Sequence, residues 1–243
     1  MFVNRLFFSI QKSNIEGCKL CLNSGVDINS IRNDLTPLLC ACKNSSNFDI
    51  IQLLIEKGAD VNFAQGVTPL LYATFGNSSL EVIKLLINSG SNINSKNKRT
   101  PLHNACLKCT KTEIIQLLLE SGADINSQDK ETPLHLACKQ KETKIYEFLL
   151  QKKANPNIQN GKTPFHFVCE NQNEMKIKIS IKYKANPEIE DFKLFPYSYV
   201  KDPKLVNYIL SHRSLNLDFA KLFRKQQLID GKIETFDGNV GFP

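Results

Sequence analysis

The tripeptide Thr36-Pro37-Leu38 returns as Thr68-Pro69-Leu70, Thr100-Pro101-Leu102, Thr132-Pro133-Leu134 and Thr163-Pro164-Phe165, in steps of 32, 32, 32 and 31 residues. A second series keeps the same beat: Gly25–Asn29, Gly58–Asn62, Gly90–Asn94 and Gly122–Asn126. Weaker copies follow at Lys153–Asn157 and Lys184–Glu188. Two motifs locked to one period require a repeat architecture in which each unit stacks on the next, because a unit of some 32 residues cannot bury its apolar face alone.

The parts of each unit have physical reasons. Thr caps a helix, and Pro at the first helical position loses nothing because its missing N–H has no intrahelical partner there. The first helix carries a small residue (Ala41, Ala73, Ala105, Ala137) that permits close helix approach. After a polar break, a second helix shows a wide apolar stripe, as in Ile50, Ile51, Leu53, Leu54 and Ile55, or Val82, Ile83, Leu85, Leu86 and Ile87. A stripe that wide faces more than one neighbour. Gly then ends the helix in the left-handed conformation.

These residues resemble the ankyrin repeat, whose signature is Thr-Pro-Leu-His-x-Ala on a period near 33. The complete Thr-Pro-Leu-His stands at Thr100–His103 and Thr132–His135, with Thr163–His166 a near copy. The resemblance implies an all-α ankyrin-repeat solenoid of about seven helix-turn-helix units with short hairpin loops. The array is expected over residues 1–210, with degenerate ends: Asn4–Ser9 with Cys18–Leu22, and Phe195–Val200 with Leu205–Leu210. Residues 211–243 are left as a C-terminal tail, cap or linker, with a hairpin-like Asp230-Gly231. The spacing departs from the family: 22 residues from Thr to Gly and only 10 or 11 from Gly to the next Thr. A slightly bulged inter-helix loop and stubby fingers are expected.

Composition excludes several functions. No apolar run approaches the roughly 18 residues of a membrane span, and the opening Met1–Phe8 is too short for a signal-peptide core. A cytoplasmic chain is expected, the nucleus not excluded. The net charge of +7 is spread thinly, unlike a nucleic-acid footprint. Lys176, Lys178, Lys182 and Lys184 are read as a solvated helix face. Cys42, Cys106, Cys138 and Cys169 sit six residues after their Thr, where the first helix needs something small, and Cys18 and Cys21 fall on an apolar stripe. Equivalent residues in units stacked roughly 8–10 Å apart cannot share one zinc at about 2.3 Å. No metal and no cofactor are therefore expected, Cys109 in its loop being the remaining candidate.

No acid or nucleophile recurs beside His103, His135 and His166, so no catalysis is expected; the resemblance assigns them to bonding neighbouring loops. Asn29, Asn62, Asn94, Asn126 and Asn157 read as satisfiers of hairpin backbone groups. The resemblance implies a monomeric adaptor or inhibitor that binds another protein on its concave face, or else a substrate-recruiting arm of a larger enzyme such as a kinase or ubiquitin ligase. Carried onto this chain, the binding positions in units two to four are Leu35, Phe63, Val67, Tyr72, Phe75, Arg99 and Leu107, an apolar strip that turns charged afterwards, with Lys139 and Glu170. Units six and seven are expected to open first. Lys176 and Ser180 there replace large apolar residues, and Lys153 and Lys184 replace the helix-ending Gly.

Overall fold

The computed structural model describes residues 2–43, 47–63, 67–76, 79–97, 99–108, 111–191 and 194–212. Within them the chain runs as helix pairs: α1 (Phe2–Gln11) with α2 (Ile15–Asn23), α3 (Pro37–Lys43) with α4 (Phe48–Glu56), and α5 (Pro69–Phe75) with α6 (Leu80–Asn88). Then come α7 (Pro101–Lys108) with α8 (Thr112–Glu120), α9 (Pro133–Cys138) with α10 (Lys144–Gln151), and α11 (Pro164–Glu170) with α12 (Glu174–Lys182). The seventh unit is a four-residue 3-10 turn (Pro196–Tyr199) followed by α13 (Pro203–Ser211). First helices pack on first helices and second on second, which makes a two-layer solenoid. The expected inter-helix bulges (44–46, 77–78, 109–110), Cys109 and the tail from 213 onward lie outside the described residues.

The first helices begin as the residues dictate. Thr68, Thr132 and Thr163 accept a hydrogen bond from the third helical residue, each with Pro at the helix start. Second helices take Asn14, Asn47, Ser79, Asn173 and Asp202 as caps. Gly58, Gly90 and Gly122 follow their helices at φ of 90°, 88° and 92°. Lys153 and Lys184 take the same left-handed turn at 68° and 61°, at a cost of about 1–2 kcal/mol each.

Ala73, Ala105 and Ala137 on the first helices and Ile83, Ile115 and Leu149 on the second are all fully buried. Four fingers are each closed by one isolated bridge: Arg32 with Leu35, Asn97 with Arg99, Asn160 with Lys162, and Asp191 with Leu194. The finger asparagines do more than satisfy their own turn. Asn62 Oδ1 accepts the Asn92 N–H at 2.7 Å while its Nδ2 donates to Gly90 O, and Asn94 repeats this on Asp124 and Gly122. Each asparagine thus ties the end of the following unit to its own finger.

Unit six departs from expectation. Lys176 is 1 % exposed, not solvated. Its ammonium donates to Ala137 O and Cys138 O, both at 3.2 Å, and to Gln140 O. α9 is the shortest first helix, two residues shorter than α7, and Lys176 caps carbonyls at its C-terminal end. Ser180, also buried, bonds the Tyr146 hydroxyl at 2.7 Å, and that ring fills the space a leucine would take. Lys178 and Lys182 do lie on the solvated face, paired with Glu174 and Glu147. The seventh unit is pinned by Tyr199, whose hydroxyl meets both oxygens of buried Asp191 at 3.0 and 3.1 Å.

Candidate protein-docking face

The three histidines are structural. In each, Nδ1 accepts the N–H of the capping threonine (3.3, 3.2 and 3.1 Å for Thr100, Thr132 and Thr163). An N–H can only donate, so Nδ1 is bare and Nε2 carries the proton. That proton goes to the next finger: from His103 to Glu131 O at 2.8 Å, from His135 to Lys162 O at 3.0 Å, and from His166 to Leu194 O at 3.3 Å. A hydroxyl does recur beside each ring, since Thr Oγ1 lies 2.7–2.8 Å from Nδ1. These threonines are buried and their oxygens cap the helix, so the pair is a capping device. His166 also has the Asp191 carboxylate at 4.0 Å. Burial pushes all three imidazoles below their ordinary pKa.

The cysteines lie in the core. Cys18, Cys21, Cys40, Cys42, Cys106, Cys138 and Cys169 are buried thiols outside any disulfide. Burial raises Cys18 to about 11 and Cys42 to about 12, with Cys21 and Cys40 adding to it, and raises Cys138 and Cys169 further. Such thiols are poor nucleophiles and poor metal ligands. Among the described residues no cluster of three or more His, Cys, Asp or Glu could hold a metal. Treatment with chelator or reductant is expected to leave the melting temperature unchanged within about 1 °C; a drop of several degrees would restore a ligand role for cysteine.

A cavity of about 630 Å³ opens between the first helices and fingers of units three to five. Its apolar floor is Val67, Leu71, Tyr72, Phe75 and Leu136; its walls are Asn97, Arg99, His103, Asn104, Asp129, Lys130 and Glu131. Four of the sequence candidates, Val67, Tyr72, Phe75 and Arg99, therefore meet in one place. Leu35 is half-buried against the core and paired through its backbone with Arg32. Phe63 is half-buried in its turn. Leu107 is half-buried, and its carbonyl accepts from Gln140. Phe75 is 51 % exposed.

The strip is less uniformly apolar than its register suggests. Lys43 of unit two lies over the Tyr72 ring at 6.0 Å, and Lys108 of unit four over Phe75 at 5.4 Å. Lys43 stands seven residues after Thr36, the register of Phe75, so extending that register to unit two finds it. Asn104, four residues after Thr100, is the register of Tyr72 and is found the same way. Asp129 and Lys130 belong to the finger and carry no such signal.

Histidine spacing also divides the face. Units four to six place His under the next finger, whereas units two and three have Leu39 and Leu71 at that position. Val67 and Arg99 therefore lack the side-chain anchor that holds Glu131, Lys162 and Leu194.

Residues 6–97 and 76–160 match the family described as ankyrin repeats (3 copies). Among solved structures, the crystal structure of the human ASB11 ankyrin repeat domain is similar with a TM-score of 0.74, over 86% of this chain and 98% of that one, at 23% identity. A likeness at that identity is one of fold. No curated protein matches the chain. With the capped Thr-Pro helices, the asparagine-tied fingers and the family match over most of its length, this chain belongs to the ankyrin-repeat family, whose arrays generally mediate protein–protein interaction.

Proposed function

We propose that the chain is a non-catalytic adaptor or inhibitor that takes another protein on its concave face across units two to four, acting as a monomer in the cytoplasm or nucleus. The cavity floored by Val67, Tyr72 and half-exposed Phe75 carries this reading. Clustered apolar exposure marks interaction sites, and aromatic side chains dominate binding hot spots. Cysteines used as small core residues, seven of them buried, suit a reducing compartment. Residues 1–210 form the binding array in this reading, and 211–243 a C-terminal cap or linker.

Val67, Phe75 and Leu107 changed singly to Asp test the site by melting and by capture of the native partner. Val67→Asp and Phe75→Asp are expected to cut capture about tenfold or more, a loss of over about 1.4 kcal/mol, with little change in melting for exposed Phe75 and some loss for half-buried Val67. Leu107→Asp is expected to cost folding as well, since Leu107 is half-buried. Normal capture by all three stable variants would remove the site.

A further inference from the structure

Charge is partnered differently along the two halves of the concave face. Toward the C-terminus each cation has an acid: Lys139 pairs with Glu131, and Lys162 with Glu170 at 3.0 Å and Asp191 at 3.9 Å. Cations lie over rings on both halves, Lys139 and Lys162 over Phe167 and Tyr199 and, around the cavity, Lys43 and Lys108 over Tyr72 and Phe75, with Arg99 in the cavity wall. Among the described residues no carboxylate lies within ion-pair distance of Lys43, Lys108 or Arg99.

An ammonium over a ring keeps donors free, and the exposed contact is worth only about 0.5–1 kcal/mol. A carboxylate can therefore join it without displacing the ring. Tyr72 and Phe75 are three residues apart on one helix, so their Cβ atoms are about 5–6 Å apart and both ammonium groups converge on unit three. Carboxylates roughly two to four residues apart in an extended chain, at about 3.3 Å per residue, would reach both. Between them, a large apolar side chain fills the cavity floor.

Resting on the docking reading above, we propose that the occupant is an extended acidic segment of a partner protein, with Asp or Glu flanking a bulky apolar residue. Cations beside rings also suit single-stranded nucleic acid. Asp129 and Glu131 in the same cavity wall repel any acid set against them; a peptide can place its few carboxylates at the cations alone, whereas a nucleic acid carries a charge at every nucleotide, which favours the peptide.

The test is selection of random dodecapeptides on the full chain in about 0.15 M salt, near physiological ionic strength. Selected peptides are then measured by fluorescence anisotropy against wild type, Lys43→Glu, Lys108→Glu, Phe75→Asp and, as an exposed control away from the cavity, Lys57→Glu. Enrichment in Asp and Glu beside Phe, Leu or Trp is expected. Binding should fall about tenfold or more in both lysine reversals, equivalent to about 1.4 kcal/mol, weaken with salt, and stay unchanged in Lys57→Glu. Peptides without acidic enrichment that still lose binding in Phe75→Asp would overturn the acidic partner and leave the docking face standing. Acidic peptides indifferent to Phe75→Asp, or no groove-dependent peptide at all, would overturn both. Tighter binding of a labelled oligo-dT than of any selected peptide would overturn the protein partner.

Discussion

Lys176→Met is expected to lower stability by about 3 kcal/mol, read as a shift of the urea midpoint with circular dichroism. The ammonium serves three carbonyls at the end of α9. Methionine keeps the stem and the packing but removes the donor from Cys138 O and Gln140 O, while Ala137 O keeps the Gln140 N–H; each buried acceptor left unpaired costs on the order of 1–3 kcal/mol. Against a total stability of roughly 5–15 kcal/mol, that is a large share. Burial lowers the Lys176 pKa, so keeping it charged offsets part of what the bonds contribute. Lys176→Ala adds a cavity and should cost more. An unchanged midpoint in Lys176→Met would mean that relaxation or water supplies α9 equally well.

The same residue changes how the array should come apart. Units in a solenoid couple to nearest neighbours, and Lys176 and Ser180 join unit six to unit five through α9 and Tyr146. Hydrogen exchange in α12 should therefore match that in α10, with early opening confined to the seventh unit. Lys176→Met should release α12 alone.

The repeat period, the helix boundaries and the left-handed turns were legible because each depends on one residue type at one register. Thr-Pro marks a start and Gly an end whatever the neighbours are. Lys176 was misread for the complementary reason. A lysine on a helix is usually solvated, and its partners are backbone carbonyls some 36–39 residues away, which no side-chain pattern announces. Tyr146 and Ser180 form a size exchange across two units, visible only once α10 is seen against α12. The candidate site was half legible. Register placed Tyr72 and Phe75 on the concave face, but whether neighbouring positions meet depends on how fingers lean over helices. That geometry set Leu35, Phe63 and Leu107 apart from the cavity and brought in Asp129 and Lys130.

Stability should fall steeply as pH drops below about 6.5, and three histidines should account for it. In the fold His103, His135 and His166 are neutral, with Nδ1 accepting from the threonine N–H. Protonation would put a second donor against that donor. Burial, the largest cause, depresses each pKa below the ordinary 6.5. Nearby Asp129, Glu131 and Asp191 pull the other way for His103, His135 and His166 respectively. A depressed folded pKa means the unfolded chain binds more protons between the two values. The contribution is thus fully present above pH 6.5 and is lost as pH falls through the folded values. Each histidine contributes at most about 1.4 kcal/mol per pH unit inside that window, and the three contributions add. Ordinary carboxylates titrate nearer 4, which separates the two causes. The chain itself supplies the control substitution, since Leu39 and Leu71 occupy the histidine position in units two and three and are buried there. His103→Leu, His135→Leu and His166→Leu combined should flatten urea midpoints between pH 6.5 and 5. Each should cost about 2 kcal/mol at pH 7.5 for two lost bonds. A triple variant that is stable enough to measure and keeps the wild-type slope would place the acid sensitivity elsewhere. Before global unfolding, the carbonyls of Glu131, Lys162 and Leu194 would lose nothing, because Nε2 still donates in the imidazolium. The strain therefore falls on the threonine caps, and α7, α9 and α11 should lose exchange protection at their first turns ahead of the fingers.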